Sequence, residues 1–312
     1  MRKFTFLLLL TTLLTAACGT NPKAAYNDLH EDDVHFAADE SFQPILSEIS
    51  DLYALRKPEA TMMPVYCSED SAIRLLVDDS LRSIVVTRKL TARELQKIQQ
   101  EGHSASQSMI ASEAFALIIN KNNPDSTIRL SEVKKIVSGQ ITDWSQIRDS
   151  KKKGKLSLVF DNSGSSTVRY MRDSLCGGKE LKGNLYAQGT NTAVIEAVKE
   201  NPNAIGVVGT DWLRGKSENV LPNFNSLDVR VMLVTSSDEA YPQFYRPYQY
   251  CIAMGQYPLV RSVYAITTDP RERSMPKLLY FWLKGQKGQL IFCNNSQLLP
   301  VMPVQIRSVN VN

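Results

Sequence analysis

The sequence predicts an α/β protein with largely parallel sheets, and three observations carry that prediction. Strand-like and helix-like segments alternate from about residue 34 to the end, the pattern of strand–crossover–strand units. Leu156–Phe160 and Ala204–Val208 read as buried strands, as expected where helices cover both faces of a sheet. Three strands also run through short, hydroxyl-rich loops directly into helix starts. At 312 residues and 35.0 kDa the chain can build one large domain or two medium lobes, each with a full core.

In order, Met1-Arg2-Lys3 is a short positive start and Phe4 to Leu14 an apolar run broken only by threonine. Small residues then lead to Cys18. Residues 1–17 read as a secretory signal, too short for a mature membrane span, and 18–33 as a polar tether. Val34 to Ala38 is a strand; Phe42, Ile45, Leu46, Ile49 and Tyr53 then recur at helical spacing, with Asp39 or Ser41 as the cap. Thr61 to Tyr66 is a strand, and Cys67-Ser68 opens a helix with Ala72, Leu75 and Leu76 on one face. Thr91-Ala92-Arg93-Glu94 is a capping box for a helix to about Gln100. Ser131 starts a short helix that Gly139 stops. The strand ending at Phe160 runs into Asp161-Asn162-Ser163-Gly164-Ser165-Ser166-Thr167 and a helix from about Val168 to Leu175. Asn191 to Lys199 is a helix, Ala204 to Val208 a strand, and Asp228–Thr235 and Arg261–Thr267 later strands. Met275 to Cys293 is a helical stretch interrupted near Gly285.

The three strand–loop–helix junctions point to chemistry. Ligands of open α/β sheets lie outside the carboxyl ends of the strands, where the helices begin. A helix start offers unpaired N–H groups and the positive end of its dipole, which favour anions. Serine and threonine hydroxyls add donors without bulk or fixed charge. Taken singly, each junction reads better as a plain cap; three in one chain favour an oxyanion site.

Composition narrows the function classes. Hydrophobic residues make up 43% and charged residues 22%, a globular balance that argues against disorder. The formal charge of +4 is too small for a nucleic-acid footprint, and no nucleic-acid partner is expected; the basic block at Lys151-Lys152-Lys153 reads as a loop. Loss of 1–17 removes Arg2 and Lys3 and leaves the exported protein nearly neutral. Cys67, Cys176, Cys251 and Cys293 lack metal-site or CxxC spacing, and His30, His35 and His103 are scattered, so neither a metal site nor a cofactor is expected. An exported compartment permits disulfides, but spacing does not choose partners.

The chain resembles the phosphate-binding proteins of bacterial phosphate ABC transporters, in the type II periplasmic-binding-protein superfamily. The resemblance covers roughly residues 34–304. It rests on Asp39-Glu40-Ser41-Phe42, Val86-Thr87-Arg88-Lys89-Leu90, Ala114 to Asn120, Ile136-Val137-Ser138-Gly139 with Trp144, and Gly164-Ser165-Ser166-Thr167. Further matches are Ala204-Ile205-Gly206, Tyr257-Pro258-Leu259 with Arg261, and Gly288-Gln289 with Leu299-Pro300. Residues 15–18 also resemble a lipoprotein signal in which Cys18 is lipidated, although Thr15 stands where leucine is usual.

The resemblance implies two α/β lobes with a ligand cleft between them: 34–113 plus 243–312, and 114–242, with crossings near Ser112–Glu113 and Gln243–Pro247. It implies anion contacts from Ser41 and the Phe42 N–H, from Ser68, and from Ser165, Ser166 and Thr167. Two departures stand out. Asp161 lies where the serine-rich motif usually has arginine, and Thr87-Arg88 where an aspartate is common. The expectation is that Arg88 supplies the positive charge and Asp161 an acceptor for the proton that phosphate, unlike sulfate, still carries. The implied function is a monomeric, lipid-anchored binding protein that captures inorganic phosphate and delivers it to an ABC permease, with no bond made or broken. Alternatives are another oxyanion such as sulfate or molybdate, a sensor, or a serine hydrolase or phosphatase. The last lacks GxSxG, and no histidine follows His103.

Overall fold

In the computed structural model, residues 34–56, 61–214 and 224–302 are described. The signal, Cys18 and the tether lie outside them. The elements are β1 (Val34–Asp39), α1 (Gln43–Arg56), β2 (Met62–Cys67), α2 (Glu69–Val77), β3 (Ser83–Val86), α3 (Ala92–Gln100), β4 (Ser106–Asn120), β5 (Thr127–Arg129) and α4 (Leu130–Val137). There follow β6 (Ser157–Phe160), α5 (Ser166–Tyr170), β7 (Leu185–Ala187), α6 (Asn191–Glu200), β8 (Ala204–Gly209), β9 (Val229–Val231) and β10 (Leu233–Thr235). The chain ends with α7 (Gln249–Ala253), β11 (Val260–Thr267), α8 (Met275–Lys284), α9 (Gln286–Asn295) and β12 (Leu299–Pro300).

Two sheets share one long strand. The order is β2-β1-β3-β11-β4-β8-β6-β7, with β9 and β12 also on β4 and a separate β10–β5 pair. β4 pairs with β11 up to Ala114 and with β8 from Phe115, so it leaves one sheet and enters the other within a single peptide step. The sheets are mixed rather than largely parallel. β1, β2 and β3 are parallel, as are β6, β7 and β8. The shared strand β4 and its partners β8, β9, β11 and β12 are antiparallel, as is the β11–β3 pair. A chain that crosses between sheets and returns runs back against the strand it left.

Each sheet is covered on both faces. In the first, Phe36, Ala38 and Val85 pack with Ile45 and Ile49 of α1 and with Leu279 and Phe292. Ala37, Ile84 and Val86, one residue out of step, pack on the other face with Ile73 and Leu76 of α2 and Ile98 of α3. That is the two-residue period of a strand buried on both sides. The second sheet repeats the plan, with Leu117, Ile119, Leu158 and Phe160 around Trp144 on one face. Ala116, Ile118, Val159 and Val208 lie against Val194 and Val198 of α6 on the other.

Sequence detail survives with local corrections. The Thr91–Glu94 capping box is present. Gly139 has φ +76°, the left-handed conformation that ends α4, but the helix starts at Leu130, one residue before Ser131. The helix expected at 168–175 begins at Ser166 and widens into a π turn over Met171–Leu175. Residues 228–235 divide at Met232 into β9 and β10. Gly285 separates α8 from α9. At the expected crossing near 243–247, Tyr245 pairs with Val234, and beyond it Ile252, Tyr257 and Leu259 pack into the second sheet's core. Cys67, Cys176, Cys251 and Cys293 are all free.

Candidate anion-binding site

β1, β2, β3 and β6 all deliver their carboxyl ends to the boundary between the sheets. After β1, Asp39 caps a 3-10 turn of Glu40–Phe42, its side chain accepting from the Ser41 N–H at 3.0 Å. After β2, Ser68 caps α2, its oxygen accepting from the Ser71 N–H. After β6, Ser165 caps α5, accepting from the Val168 N–H and donating to Asp161 Oδ1 at 2.6 Å. The three hydroxyl-rich junctions are thus real helix starts, and part of their hydroxyl capacity is spent on capping.

The positive charge of the site comes from Arg261 on β11. Its guanidinium is buried, lies 2.6 Å from Glu113 Oε2 and donates to Ser166 Oγ, so one side chain joins the shared strand β4 to the serine-rich loop. It also sits over the rings of Phe42 and Phe115, with centroids at 5.4 and 4.2 Å. A cation held between aromatic faces and a buried carboxylate is fixed in place, which suits it for anion recognition. Burial pushes the Glu113 carboxyl up to about 7 against the pull of Arg261. Gly209 opposite has no side chain because a Cβ there would collide with Glu113 Oε1.

Around this pair, several buried polar atoms have no protein partner: Ser41 Oγ, Thr167 Oγ1, Asp39 Oδ2 and Asn191 Oδ1. Ser41 and Asp39 come from the first sheet's junction, Thr167 and Asn191 from the second's. Unmet buried polar atoms are rare and costly unless a ligand uses them. The set offers hydroxyl donors beside a carboxylate acceptor, a combination suited to a protonated oxyanion.

Contacts also cross between the two junctions. Arg169 of α5 pairs with buried Glu69 of α2 and donates to Thr87 Oγ1 at 2.6 Å. Thr87 in turn donates its N–H and Oγ1–H to Glu69, both at 2.6 Å. Burial raises the Glu69 carboxyl, but Arg169 and the Thr87 hydrogen bonds outweigh it and hold the group below the ordinary value. Asn191 Nδ2 donates to Glu40, and Trp212 Nε1 donates to the Ser41 carbonyl at 3.0 Å.

The structure therefore brings Ser41, Phe42, Asp161, Ser165, Ser166 and Thr167 together. Ser68 sits at the edge of the group, about 3.9 Å from where a Cβ on Gly164 would lie. Arg88 stands outside it. Both its terminal nitrogens donate to Glu94, at 2.8 Å each, and it braces the capping box of α3. The guanidinium beside the serine-rich loop is that of Arg261, and Arg169 spans the boundary. The signal for Arg261 and Glu113 was available: each is a lone charge inside an otherwise apolar strand pattern. Asp39 was legible as a cap, but not as a carboxylate with a spare oxygen.

A family model described as a PBP superfamily domain matches residues 20–283. The chain belongs to the PBP superfamily. Its two covered sheets joined at a strand exchange are the two-lobed fold of that superfamily. Within it, the phosphate-binding protein PstS of Staphylococcus aureus is 21% identical over 202 residues, 64% of this chain and 61% of that protein. The match therefore spans less than two thirds of the relative's own length. An ABC-type phosphate transport receptor from Vibrio cholerae superposes with a TM-score of 0.61 at 19% identity, over 86% of this chain and 100% of that one. The phosphate-bound periplasmic phosphate-binding protein PfluDING gives 0.68 at 13% identity, over 86% and 90%. At these identities the PBP superposition speaks for the fold.

Proposed function

We propose that the protein is a solute-binding protein that captures inorganic phosphate between its lobes and delivers it to an ABC permease. The observation that carries the reading is the convergence of buried, unpartnered hydroxyls (Ser41 and Thr167) and an unpartnered carboxylate oxygen (Asp39) beside the fixed guanidinium of Arg261. Hydroxyls and Arg261 would hold the phosphate oxygens, and Asp39 would accept from the phosphate O–H. Sulfate has no such proton and would face that carboxylate unrelieved. The relatives named for phosphate binding agree with this choice over the other oxyanions.

In this reading one lobe holds 34–113 with the chain from about Val260 onwards, and the other holds the intervening part. Closure would bury the anion, and the Arg169–Glu69, Asn191–Glu40 and Trp212–Ser41 contacts would hold the lobes shut. Cys18 would carry a lipid that keeps the monomer at the membrane. No bond changes: the Ser165 hydroxyl donates a hydrogen bond to Asp161 and keeps its proton, and His103 lies against Asp79. The deciding experiment is equilibrium binding of radiolabelled phosphate with excess sulfate as competitor. Stoichiometric binding that sulfate leaves intact is expected; displacement by sulfate would move the ligand to another oxyanion.

A further inference from the structure

Every arginine at the site already faces its own carboxylate. Arg261 is paired with Glu113, Arg169 with Glu69 (and, at 3.6 Å, Asp173), and Arg214 with Glu48 at 3.0 Å. Arg261 would therefore meet the anion with its charge already largely matched by Glu113. What remains is acidic: Asp39 at the end of β1, Glu40 in the 3-10 turn after it, Asp161 after β6, and Asp211 after β8, all but Glu40 almost fully buried. A doubly charged oxyanion would enter a buried group of carboxylates whose cations are already matched, an arrangement that favours the neutral form of an acid.

We propose that the site takes up one proton from solvent with each phosphate, the proton lying between the ligand and the carboxyl of Asp161, so that the anion is held with a single negative charge. This rests on the phosphate reading above. Asp161 joins this group through the serine-rich loop. Its Oδ1 accepts from Ser165, the residue that opens the serine-rich helix carrying Ser166 and Thr167, so the carboxyl is tied to the loop that would touch the ligand. Burial, aided by the nearby Asp39 charge and opposed by the Ser165 hydrogen bond and Arg261, pushes Asp161 up to about 6. Burial likewise pushes Glu40 up to about 6, against its hydrogen bond from Asn191. A second negative charge arriving at the site moves both further in the same direction. Asp161 then sets which protonation state of phosphate the protein accepts, beyond the choice between phosphate and sulfate.

Titration calorimetry of the full chain with inorganic phosphate tests this. At about pH 8.5 free phosphate is the dianion, and buffers of different ionisation enthalpy count the protons taken up. Uptake of about one proton per phosphate is expected, with affinity falling about tenfold per pH unit in the alkaline range. In Asp161→Asn the amide needs no proton, so uptake falls to near zero and the alkaline loss of affinity flattens. Wild-type binding without proton uptake overturns the proposal and leaves phosphate capture standing. Uptake that persists in Asp161→Asn overturns the assignment to Asp161. Absence of phosphate binding at any pH overturns both readings. Should Asp161→Asn not fold, Asp161→Ser takes its place in the same proton count, with the same loss of uptake expected and persistence of uptake overturning the assignment.

Discussion

Replacing Arg169 by alanine should weaken phosphate binding without unfolding the protein, and the size follows from its contacts. Arg169 pairs with Glu69, which is 1% exposed, and donates to Thr87, and both partners lie across the boundary from its own helix. In an opened protein the guanidinium regains water and keeps Asp173 nearby at 3.6 Å, while Glu69 keeps both hydrogen bonds from Thr87. The contact therefore belongs mainly to the closed arrangement. A charge-assisted hydrogen bond contributes about 1.5–3 kcal/mol, and the 21% exposure of the arginine argues for the lower half of that range through solvent screening. At about 1.4 kcal/mol per decade, the dissociation constant should rise about 10- to 30-fold. Calorimetry with phosphate measures it, and thermal melting of the ligand-free protein provides the control. Affinity within twofold of wild type would refute the idea that this pair holds the lobes together.

Other outcomes follow from the same contacts. Ser165→Ala with Ser166→Ala removes a helix cap, a partner of Asp161 and a hydroxyl bonded to Arg261, and should weaken phosphate binding at least about tenfold; calorimetry checks it. Arg172→Ala should change affinity less than about twofold, because its exposed guanidinium is engaged with Asp173. Arg88→Ala breaks a two-pronged pair with Glu94 and should cost about 1 kcal/mol of stability in urea melts while leaving phosphate affinity intact; a large affinity loss would restore it to the site. The pH dependence of stability has a definite sign. The folded protein raises Glu40, Asp161 and Asp211 to about 6 and Glu113 to about 7, so it binds more protons than the unfolded chain between about pH 4.5 and 7. Ligand-free stability should fall as pH rises through that window. Below it, Glu94, held at about 2 chiefly by its hydrogen bonds from Arg88, gives stability that acid removes. A thermal-melt series should peak near pH 5, and a midpoint that rises steadily to pH 8 would contradict the assignment.

The sequence showed the strand-to-helix junctions because caps and hydroxyl-rich loops act within a few residues. Ser41, Ser68 and Ser165 are legible for that reason. Charge pairing is not local. Arg88 and Glu94 are six residues apart and pair to stabilise a helix start, whereas Arg261 meets Glu113 only because β11 lies beside β4. An arginine inside a buried strand advertises that it has a partner, but pairing of strands distant in sequence decides which one. The same holds for Arg169: its helix was visible, while its contact with Glu69 depends on how the two sheets meet. The packing of Ile252, Tyr257 and Leu259 on the second sheet was hidden because they read as apolar core without saying whose core.

The most direct trial is a crystal structure of the protein grown with inorganic phosphate. The account predicts one tetrahedral anion held by Ser41, Thr167 and Arg261, with one of its oxygens donating to Asp39. Phosphate bound at stoichiometric strength anywhere else, or in contact with Arg88 rather than Arg261, would contradict it.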